Sequence, residues 1–232
     1  MQIHLAGLEA KIGYTFSNKN LLKEALTHRS YLNENTRWET PHNERLEFLG
    51  DAVVELVVTE ELFNRYPEKP EGILTQIRSA LVNYQMMAAV AEALRLGDFI
   101  LLSRGEARDA GRARDVILAN GLEALIGAVY LDGGYDRAKQ FIKQCIVSRL
   151  DEVMRLKLYQ DAKSVLQEKM QEERRVTPVY KVLREEGPDH SKVFTSGVYL
   201  GSELIAEGSG PSKQDAEVEA AKRALEGLDK LK

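Results

Sequence analysis

The stretch Asn43–Val53, which reads NERLEFLGDAV, decides the fold of the first part of the chain. On a helix that turns about 100° per residue, the carboxylates of Glu44, Glu47 and Asp51 project from one side. The apolar residues on the opposite side are Leu46, Leu49, Val53 and Leu56. Such a stripe predicts a packed helix whose acids line a cleft or a subunit interface. Carboxylates held this close repel one another unless a cation joins them.

A second segment has the same design. Ile117–Leu131, ILANGLEALIGAVYL, places Asn120, Glu123 and Gly127 on one face of a helix. The apolar residues on its other face are Leu118, Leu122, Leu125 and Val129. The acidic face of either helix alone is typical of solvated surface, but the pair favours two helices that face each other across a metal site.

Length and composition limit the class of protein. At 232 residues and 44% hydrophobic content, the chain suffices for one or two domains with a packed core. A net charge of −4 gives no general argument for a nucleic-acid partner, so such binding would rest on local patches. The longest apolar run, near residues 124–131, is shorter than the roughly 18–20 residues of a membrane span, and the first residues lack the order of a signal peptide. We therefore expect a soluble, cytoplasmic protein with no membrane partner.

The sequence predicts the environment or the role of several single residues. The only cysteine, Cys145, lies in an apolar helical setting, which predicts a buried, inert thiol rather than a nucleophile. Ser17 is placed to cap a helix that bears Leu21, Leu22, Ala25 and Leu26. We expect His28 to have a structural hydrogen-bonding role, because no other histidine lies at ligand spacing. The polar loop Glu34–Pro41 is expected to carry the only tryptophan, Trp38, towards the surface.

Two longer amphipathic stretches are predicted as helices, one from Ile73 to about Leu96 and one from Tyr135 to about Leu158. Between them, four arginines crowd a segment that two glycines make flexible. These arginines are Arg104, Arg108, Arg112 and Arg114. They are either solvated surface or a grip on phosphates.

The helical pattern weakens around Leu156–Asp161, and we place a domain boundary there, which gives domains 1–157 and 158–232. Beyond it the pattern becomes α-β-β-β-α. The predicted elements are helix Ala162–Arg174, strands Val179–Glu185, Lys192–Leu200 and Glu203–Glu207, and helix Lys213–Leu228. Ser212 and Asp215 form a capping-box pattern before the last helix. The chain is thus predicted to join an all-α domain to an α+β domain.

The order and spacing of these motifs resemble those of bacterial ribonuclease III over nearly the whole chain. The resemblance runs through YTFSNKNLLKEALTHRSY, NERLEFLGDAV, EALIGAVYLDGGY, GPDH and GSGPSKQDAEVEAAKRAL. It implies an all-α, dimerising endonuclease domain followed by a double-stranded-RNA-binding domain. The reaction it implies is magnesium-dependent hydrolysis of double-stranded RNA to products with 5′-phosphate and 3′-hydroxyl ends, in rRNA, mRNA and tRNA processing.

The resemblance also implies roles for individual residues. Glu47 matches a metal ligand, Asp51 matches a catalytic acid at the metal, and Glu123 matches an essential metal-binding and catalytic carboxylate. Glu44 matches a carboxylate beside the site and the subunit contact. Where the family usually has aspartate this chain has Asn120, whose oxygen can still ligate magnesium but which removes one negative charge. We expect an active variant with a raised magnesium requirement.

Magnesium suits this residue set because it is a hard cation that prefers oxygen ligands and keeps several waters. Manganese is the alternative ion. A bound metal supplies hydroxide near neutral pH and offsets charge at the phosphate. Because each site would cut one strand, a two-fold homodimer is needed to cut both.

Recognition of A-form RNA rests on shape, 2′-hydroxyls and phosphates. The resemblance implies that Gln167 on the first helix and His190 in the GPDH loop reach two minor grooves. Lys213, at the start of the last helix, would meet the phosphates between them. Residues 160–232 carry twelve basic and fourteen acidic residues, a net charge of −2, so we expect weak and salt-sensitive binding.

Two other functions stay open at this point. One is a double-stranded-RNA-binding protein whose cleavage is impaired by Asn120, and the other is a helical dimerisation scaffold with an RNA-binding appendage. The scaffold would explain the apolar stripes but not the inward acids. The presence of Glu47, Asp51 and Glu123 together favours the enzyme over the binding protein.

Overall fold

The computed structural model of the protein describes residues 5–108, 110–188 and 192–229. The chain divides between Tyr159 and Gln160 into two compact units, each with its own apolar core. The helices of the first unit are α1 Leu5–Ile12, α2 Lys19–Ala25, α3 Arg29–Glu34, α4 Glu44–Arg65, α5 Glu71–Val82, α6 Tyr84–Ala93, α7 Arg112–Cys145 and α8 Leu150–Arg155. Short 3₁₀ turns occupy Leu96–Asp98, Glu106–Arg108 and Val147–Arg149.

Helix α4 contains Glu44–Val53 of the opening stretch, and it buries most of the predicted apolar stripe. Leu46 and Val53 are buried in the core, and Leu49 is half-buried. Leu56 was predicted on the core face, but its side chain is 56% exposed. Because an α-helix has 3.6 residues per turn, residues seven apart do not stay on one line along a long helix. The buried face of α4 therefore rotates away from Leu56 and towards Val54.

Helix α7 is the central partner of α4, and its four predicted core residues are all buried. Within the described residues, the helical run Arg112–Arg155 is long and apolar enough to cross a membrane, but 61% of its apolar window is buried inside the protein, as in a core helix. Gly134 interrupts α7 with a φ of 77°, a conformation that favours glycine. The predicted continuous helix from Tyr135 to Leu158 is wrong beyond Cys145, where a 3₁₀ turn and α8 follow.

The predicted helix from Ile73 to Leu96 is also wrong as a single element. Asn83 is extended, with φ −69° and ψ 159°, and it separates α5 from α6. Its side chain accepts a hydrogen bond from the Met86 N–H at 2.9 Å. This is the preferred N-cap contact of asparagine, and it starts a new helix inside an unbroken apolar pattern.

The cap of α2 is Asn18 and not Ser17. The Asn18 side chain accepts from the Asn20 N–H at 3.0 Å. The backbone N–H of Ser17 is used elsewhere, because it donates to the Asp132 carboxylate at 2.8 Å. Asp132 also accepts from the Asn18 N–H and the Tyr14 hydroxyl, so a carboxylate distant in sequence fixes the entry into α2.

The expected hydrogen-bonding role of His28 is confirmed, whereas Cys145 was predicted to be buried and is only half-buried. His28 caps α3, where its Nδ1 accepts from the Ser30 N–H, and burial lowers the pKa of its imidazole. The half-buried Cys145 thiol donates to the Phe141 carbonyl at 3.1 Å, and burial raises its pKa to about 12, which makes it inert. Trp38 was predicted towards the surface, but it is half-buried.

The second unit comprises α9 Ala162–Arg174, β1 Val179–Glu186, β2 Val193–Leu200, β3 Glu203–Gly210 and α10 Lys213–Asp229. Its antiparallel sheet has the order β1-β2-β3. Helix α10 packs on the sheet through small residues, and a Cβ added to Gly208 would lie 2.1 Å from the Ala220 nitrogen. The capping pattern is confirmed, because the Asp215 N–H donates to the Ser212 hydroxyl oxygen at 3.1 Å.

Candidate metal centre and nucleic-acid interface

Helices α4 and α7 touch through their backbones where the acidic residues meet. A Cβ added to Gly50 would lie 1.8 Å from the backbone oxygen of Glu123, and one added to Gly127 would lie 2.3 Å from that of Leu46. Only glycine permits so close an approach. The prediction that the two helices face each other is confirmed, and this contact brings the acidic face of α4 to the level of Glu123.

Three predicted acids lie within electrostatic reach of one another at this crossing. Burial, followed by the charges of Asp51 and Glu47, raises the pKa of Glu123 to about 7. Burial, the Glu44 charge and the Asp51 charge raise the pKa of Glu47. Glu47 and Glu123 are half-buried, whereas Asp51 is exposed. The crossing is therefore a concentration of negative charge that a cation would relieve.

Asn120 lies beside Glu47. Its side chain forms a hydrogen bond with the Glu47 carboxylate, which lowers the pKa of Glu47 against the other effects. An asparagine amide can donate here, whereas an aspartate in its ionised form has only acceptors. Asn120 thus offsets part of the repulsion at the crossing without adding a charge.

The donor set at the crossing fits a hard cation. It offers carboxylate oxygens from Glu47, Asp51 and Glu123 and an amide oxygen from Asn120, which are the ligand types that magnesium prefers. Among the described residues, no three His, Cys, Asp or Glu side chains stand at the spacing of direct metal ligands. A small hydrated ion that keeps several waters suits this looser arrangement.

Glu44 lies at the exposed edge of the acidic face. Its carboxylate pairs with Arg29 at 3.2 Å and lies 3.8 Å from the His42 imidazole. These partners direct Glu44 away from the crossing, although its charge still raises the pKa of Glu47. This position agrees with a support beside the site better than with a metal ligand.

Phe48 is a residue that the sequence reading overlooked. Its side chain is 81% exposed on α4, one residue from Glu47. It borders a cavity of about 630 Å³. The apolar residues that line this cavity are Leu21, Leu46, Leu49 and Leu131. The sequence contained a signal for this role, because Phe48 lies between the acidic and the core positions of the helix. Exposed aromatic side chains mark interaction surfaces.

Gly50 was also overlooked, although it lies inside the opening stretch. A glycine within a helix costs about 1 kcal/mol relative to alanine, so its presence indicates a packing or functional reason. The reason is the contact with the Glu123 backbone.

The predicted RNA-binding residues lie on the second unit. Gln167 is exposed on α9, and Lys213 is exposed at the first position of α10. The Lys213 ammonium pairs with Glu185 at 3.1 Å and lies 5.6 Å from the centre of the Phe194 ring. A phosphate would have to compete with this ion pair. His190 lies outside the described residues.

The four clustered arginines divide into two groups. Arg114 donates to the Gly97 carbonyl at 3.3 Å, and the Arg112 guanidinium lies 5.5 Å from the centre of the Tyr84 ring, so both help to hold the fold. Arg104 and Arg108 are exposed. For these two residues alone, the prediction of either solvated surface or a phosphate contact still stands.

Comparisons with known proteins agree with both units. The Ribonuclease-III-like family model matches residues 18–150, and the model of the double-stranded RNA binding motif matches residues 162–228. Ribonuclease 3 of Desulforamulus reducens is 43% identical over 222 residues, which cover 96% of this chain and 90% of the relative. Ribonuclease 3 of Listeria monocytogenes is 41% identical over 221 residues, which cover 95% of this chain and 96% of the relative.

A solved structure supports the helical unit. The nuclease domain of ribonuclease III from Campylobacter jejuni, described for structural flexibility in a region involved in dimer formation, matches with a TM-score of 0.57 and 43% identity. The match covers 62% of this chain and 97% of that domain. The predicted fold class, a helical nuclease domain followed by an α-β-β-β-α domain, is confirmed. The chain therefore belongs to the ribonuclease III family of double-stranded-RNA-specific endoribonucleases.

Proposed function

We propose that this protein hydrolyses double-stranded RNA in a magnesium-dependent reaction, in the cytoplasm, during the processing of rRNA, mRNA and tRNA precursors. The products would carry 5′-phosphate and 3′-hydroxyl ends. The observation that carries this proposal is the electrostatic coupling of Glu47, Asp51 and Glu123 at the backbone contact of α4 with α7. An arrangement that raises the pKa of its own acids is unfavourable for the protein alone and favours a cation.

The residues divide the work at the crossing. Glu47 and Asn120, joined by a hydrogen bond, would hold a divalent ion together with Glu123 and Asp51. Magnesium or manganese, when bound, would supply an activated water near neutral pH and offset negative charge at the scissile phosphate. The helix contact fixes the backbone of Glu123, which sets the position from which its side chain extends before RNA arrives. Asp51 is the exposed acid of the set, which places it where a phosphodiester can approach.

Incubation with a long blunt duplex RNA, with magnesium and with EDTA, tests this function. Fragments that form only with magnesium support the endonuclease. A shift of the RNA in a native gel without fragments would instead identify a binding protein whose cleavage Asn120 impairs. If the RNA is neither cleaved nor shifted, only the dimerisation scaffold remains as an interpretation. End-labelling of the fragments determines whether they carry 5′-phosphates.

We also propose that the functional unit is a homodimer formed through the first unit. An exposed Phe48 beside a cavity with four leucines in its lining suits a two-fold interface, because each protomer would insert its phenylalanine against the leucines of the other. Further along α4, Leu56 and Phe63 are 56% and 71% exposed, which extends the apolar face.

Phe48→Asp tests the dimer. We expect wild type to sediment as a dimer and the variant to shift towards monomer by at least about tenfold in dissociation constant, since the aromatic contact would be lost and a charge would be buried against leucines. Leu158→Asp, which alters an exposed apolar residue outside α4, is the matched control. A variant as dimeric as wild type would contradict the proposed interface.

Lys213→Ala tests the RNA-binding unit. We expect its affinity for duplexes of any sequence to fall about threefold to tenfold, with a smaller dependence on salt, because one phosphate contact is lost. Gel-shift titrations in EDTA at two salt concentrations measure this. Lys181→Ala removes another exposed cation of the same unit, from β1, as a control. If Lys213→Ala binds as wild type does, Lys213 is not at the interface.

Asn120→Asp tests the departure from the family pattern. The substitution replaces a hydrogen-bond donor to Glu47 with a like charge. We expect the half-maximal magnesium concentration for cleavage to fall about tenfold, because the site gains a negative charge. We also expect the metal-free variant to unfold at a lower temperature than wild type. Identical magnesium titrations for the two proteins would show that Asn120 is not a ligand.

A further inference from the structure

A second polar cavity lies in the first unit, outside the acidic crossing. The loop that joins α3 to α4 folds against the exposed side of α2 and encloses about 390 Å³. Its lining residues are Asn20, Lys23, Arg37, Trp38, Glu39 and Thr40. This volume is at the lower end of the roughly 300–1,000 Å³ typical of small-ligand sites.

The two cations that line this cavity lack ion-pair partners. Within the described part of the chain, neither Lys23 nor Arg37 forms an ion pair. The Thr40 hydroxyl is buried and has no hydrogen-bond partner in the structure. This oxygen is closed to solvent and does not face the cavity, so the case for a ligand rests on the two cations and on Trp38. Two free cations indicate that this ligand is anionic.

Trp38 gives the cavity a fixed aromatic wall. Its indole N–H donates to the Thr27 hydroxyl at 3.1 Å, and its ring meets Tyr31 edge-on at 5.4 Å between centroids. The Thr27 carbonyl in turn accepts from the Asn43 N–H at 2.9 Å, immediately before α4. The cavity is therefore anchored to the start of the helix that carries Glu47 and Asp51.

We propose that this cavity binds one unpaired nucleotide of the RNA substrate, beside the duplex. This inference rests on the proposed function and adds to it a preference for duplexes with an unpaired flank over blunt ones. A nucleotide within a duplex is stacked on both faces and cannot enter a concave site, whereas an unstacked nucleotide can. Its phosphate would meet Lys23 and Arg37, and its base would lie against the Trp38 ring.

The remaining wall residues suit the polar edge of a base or a ribose. The Asn20 amide offers donors and an acceptor, and the Glu39 carboxylate accepts from an amino group or a 2′-hydroxyl. Glu39 is the one acid in the lining, so the two cations keep the cavity net positive. A cation would find less favourable electrostatics here than at the acidic crossing.

Trp38 is the only tryptophan of the chain, so its fluorescence reports on this cavity directly. The probe is a single-stranded RNA of five adenylates, titrated into the full-length protein in EDTA. We expect a saturable change of the fluorescence with wild type. In Lys23→Ala/Arg37→Ala we expect at least about a tenfold weaker response, because the phosphate partners are lost.

The matched control is Lys11→Ala/Arg65→Ala, which removes the same charge from the same unit without altering the cavity. It should respond as wild type does. An unchanged Trp38 fluorescence at saturating RNA, or an equal response of the two double variants, would overturn the proposal. Circular dichroism melting establishes that both variants are folded.

A competition experiment separates this inference from the proposed function. A duplex with a single-stranded flank should displace the adenylate probe at a lower concentration than the same duplex with blunt ends. Equal displacement by the two duplexes would overturn the nucleotide site. Failure of the proposed function would appear in the cleavage experiment, in which wild type would not cut a blunt duplex with magnesium. The fluorescence titration requires no cleavage, so the two failures are distinguishable.

Discussion

We expect the Glu123→Gln variant to lose magnesium-dependent cleavage of duplex RNA by about a thousandfold while folding more stably than wild type in metal-free buffer. Both effects have one cause. Glu123 is held half-buried by the backbone contact with Gly50, close to the charges of Asp51 and Glu47. Its charge is needed for a cation and is unfavourable without one. Glutamine keeps the shape of the side chain and removes the charge.

The pH dependence of this stability follows from the pKa of Glu123, which rises from an ordinary value of 4.5 to about 7 on folding. A carboxyl with a raised pKa in the folded state favours folding in its protonated form. The stability of wild type should therefore decrease as the pH rises from about 4.5 to about 7. Above that range we expect Glu123→Gln to be more stable by about 1–2 kcal/mol, a value reduced for solvent screening. At pH 4 the difference should vanish.

Urea unfolding in EDTA at pH 4 and pH 7.5 measures this difference. Trp38 lies in the first unit, so its fluorescence follows the unfolding of that unit alone. Glu68→Gln, a change of an exposed acid of the same unit, is the matched control and should leave stability unchanged. Equal stability of Glu123→Gln and wild type at pH 7.5 would contradict the coupling at the crossing, and undiminished cleavage would remove Glu123 from the reaction.

The second large effect is expected for Gly50→Ala. Alanine in place of glycine within a helix ordinarily stabilises a protein by up to about 1 kcal/mol. At Gly50 we expect the opposite sign, a loss of about 3 kcal/mol, because the new methyl group would lie 1.8 Å from the Glu123 backbone oxygen. The helices must then separate, which displaces Glu123 from Glu47 and Asp51. Cleavage should fall with stability.

Gly72→Ala is the control for this prediction. Gly72 lies in α5, and a Cβ there would meet no atom within 4 Å. We expect it to be neutral or slightly stabilising, with cleavage unchanged. Thermal and urea unfolding of the two variants, followed by Trp38 fluorescence, compare them directly. If Gly50→Ala were as stable as Gly72→Ala, the backbone contact would not constrain the crossing.

Periodicity predicted those parts of the fold in which one residue pattern fills one element. The buried rows of α4 and α7 and the alanine face of α10 follow from spacing, because each helix buries a repeating set of side chains. The three strands also form where alternation predicted them, although their side chains are not buried in alternation. It failed where a single side-chain contact overrides the pattern. Asn83 divides an unbroken amphipathic stretch by capping α6, and Asp132 takes the Ser17 N–H from far along the chain.

The candidate site was predictable to a similar extent. The acids and Asn120 could be chosen because their residue types match an oxygen-binding cation, and the facing of α4 and α7 is confirmed. Their roles in catalysis stay predictions. Phe48 and Gly50 were overlooked because a reading that sorts positions into charged and core faces assigns no role to an exposed aromatic residue or to a residue without a side chain.

The contact between α4 and α7 limits how the proposed metal centre can vary. The separation of the two helices is set by main-chain atoms in contact at Gly50 and Gly127, not by the sizes of intervening side chains. Substitutions elsewhere in the core can change stability without changing the distance across the centre. Diversity here is therefore confined to the chemistry of the side chains that the helices present, and Asn120 is an instance of such a change on an unaltered frame.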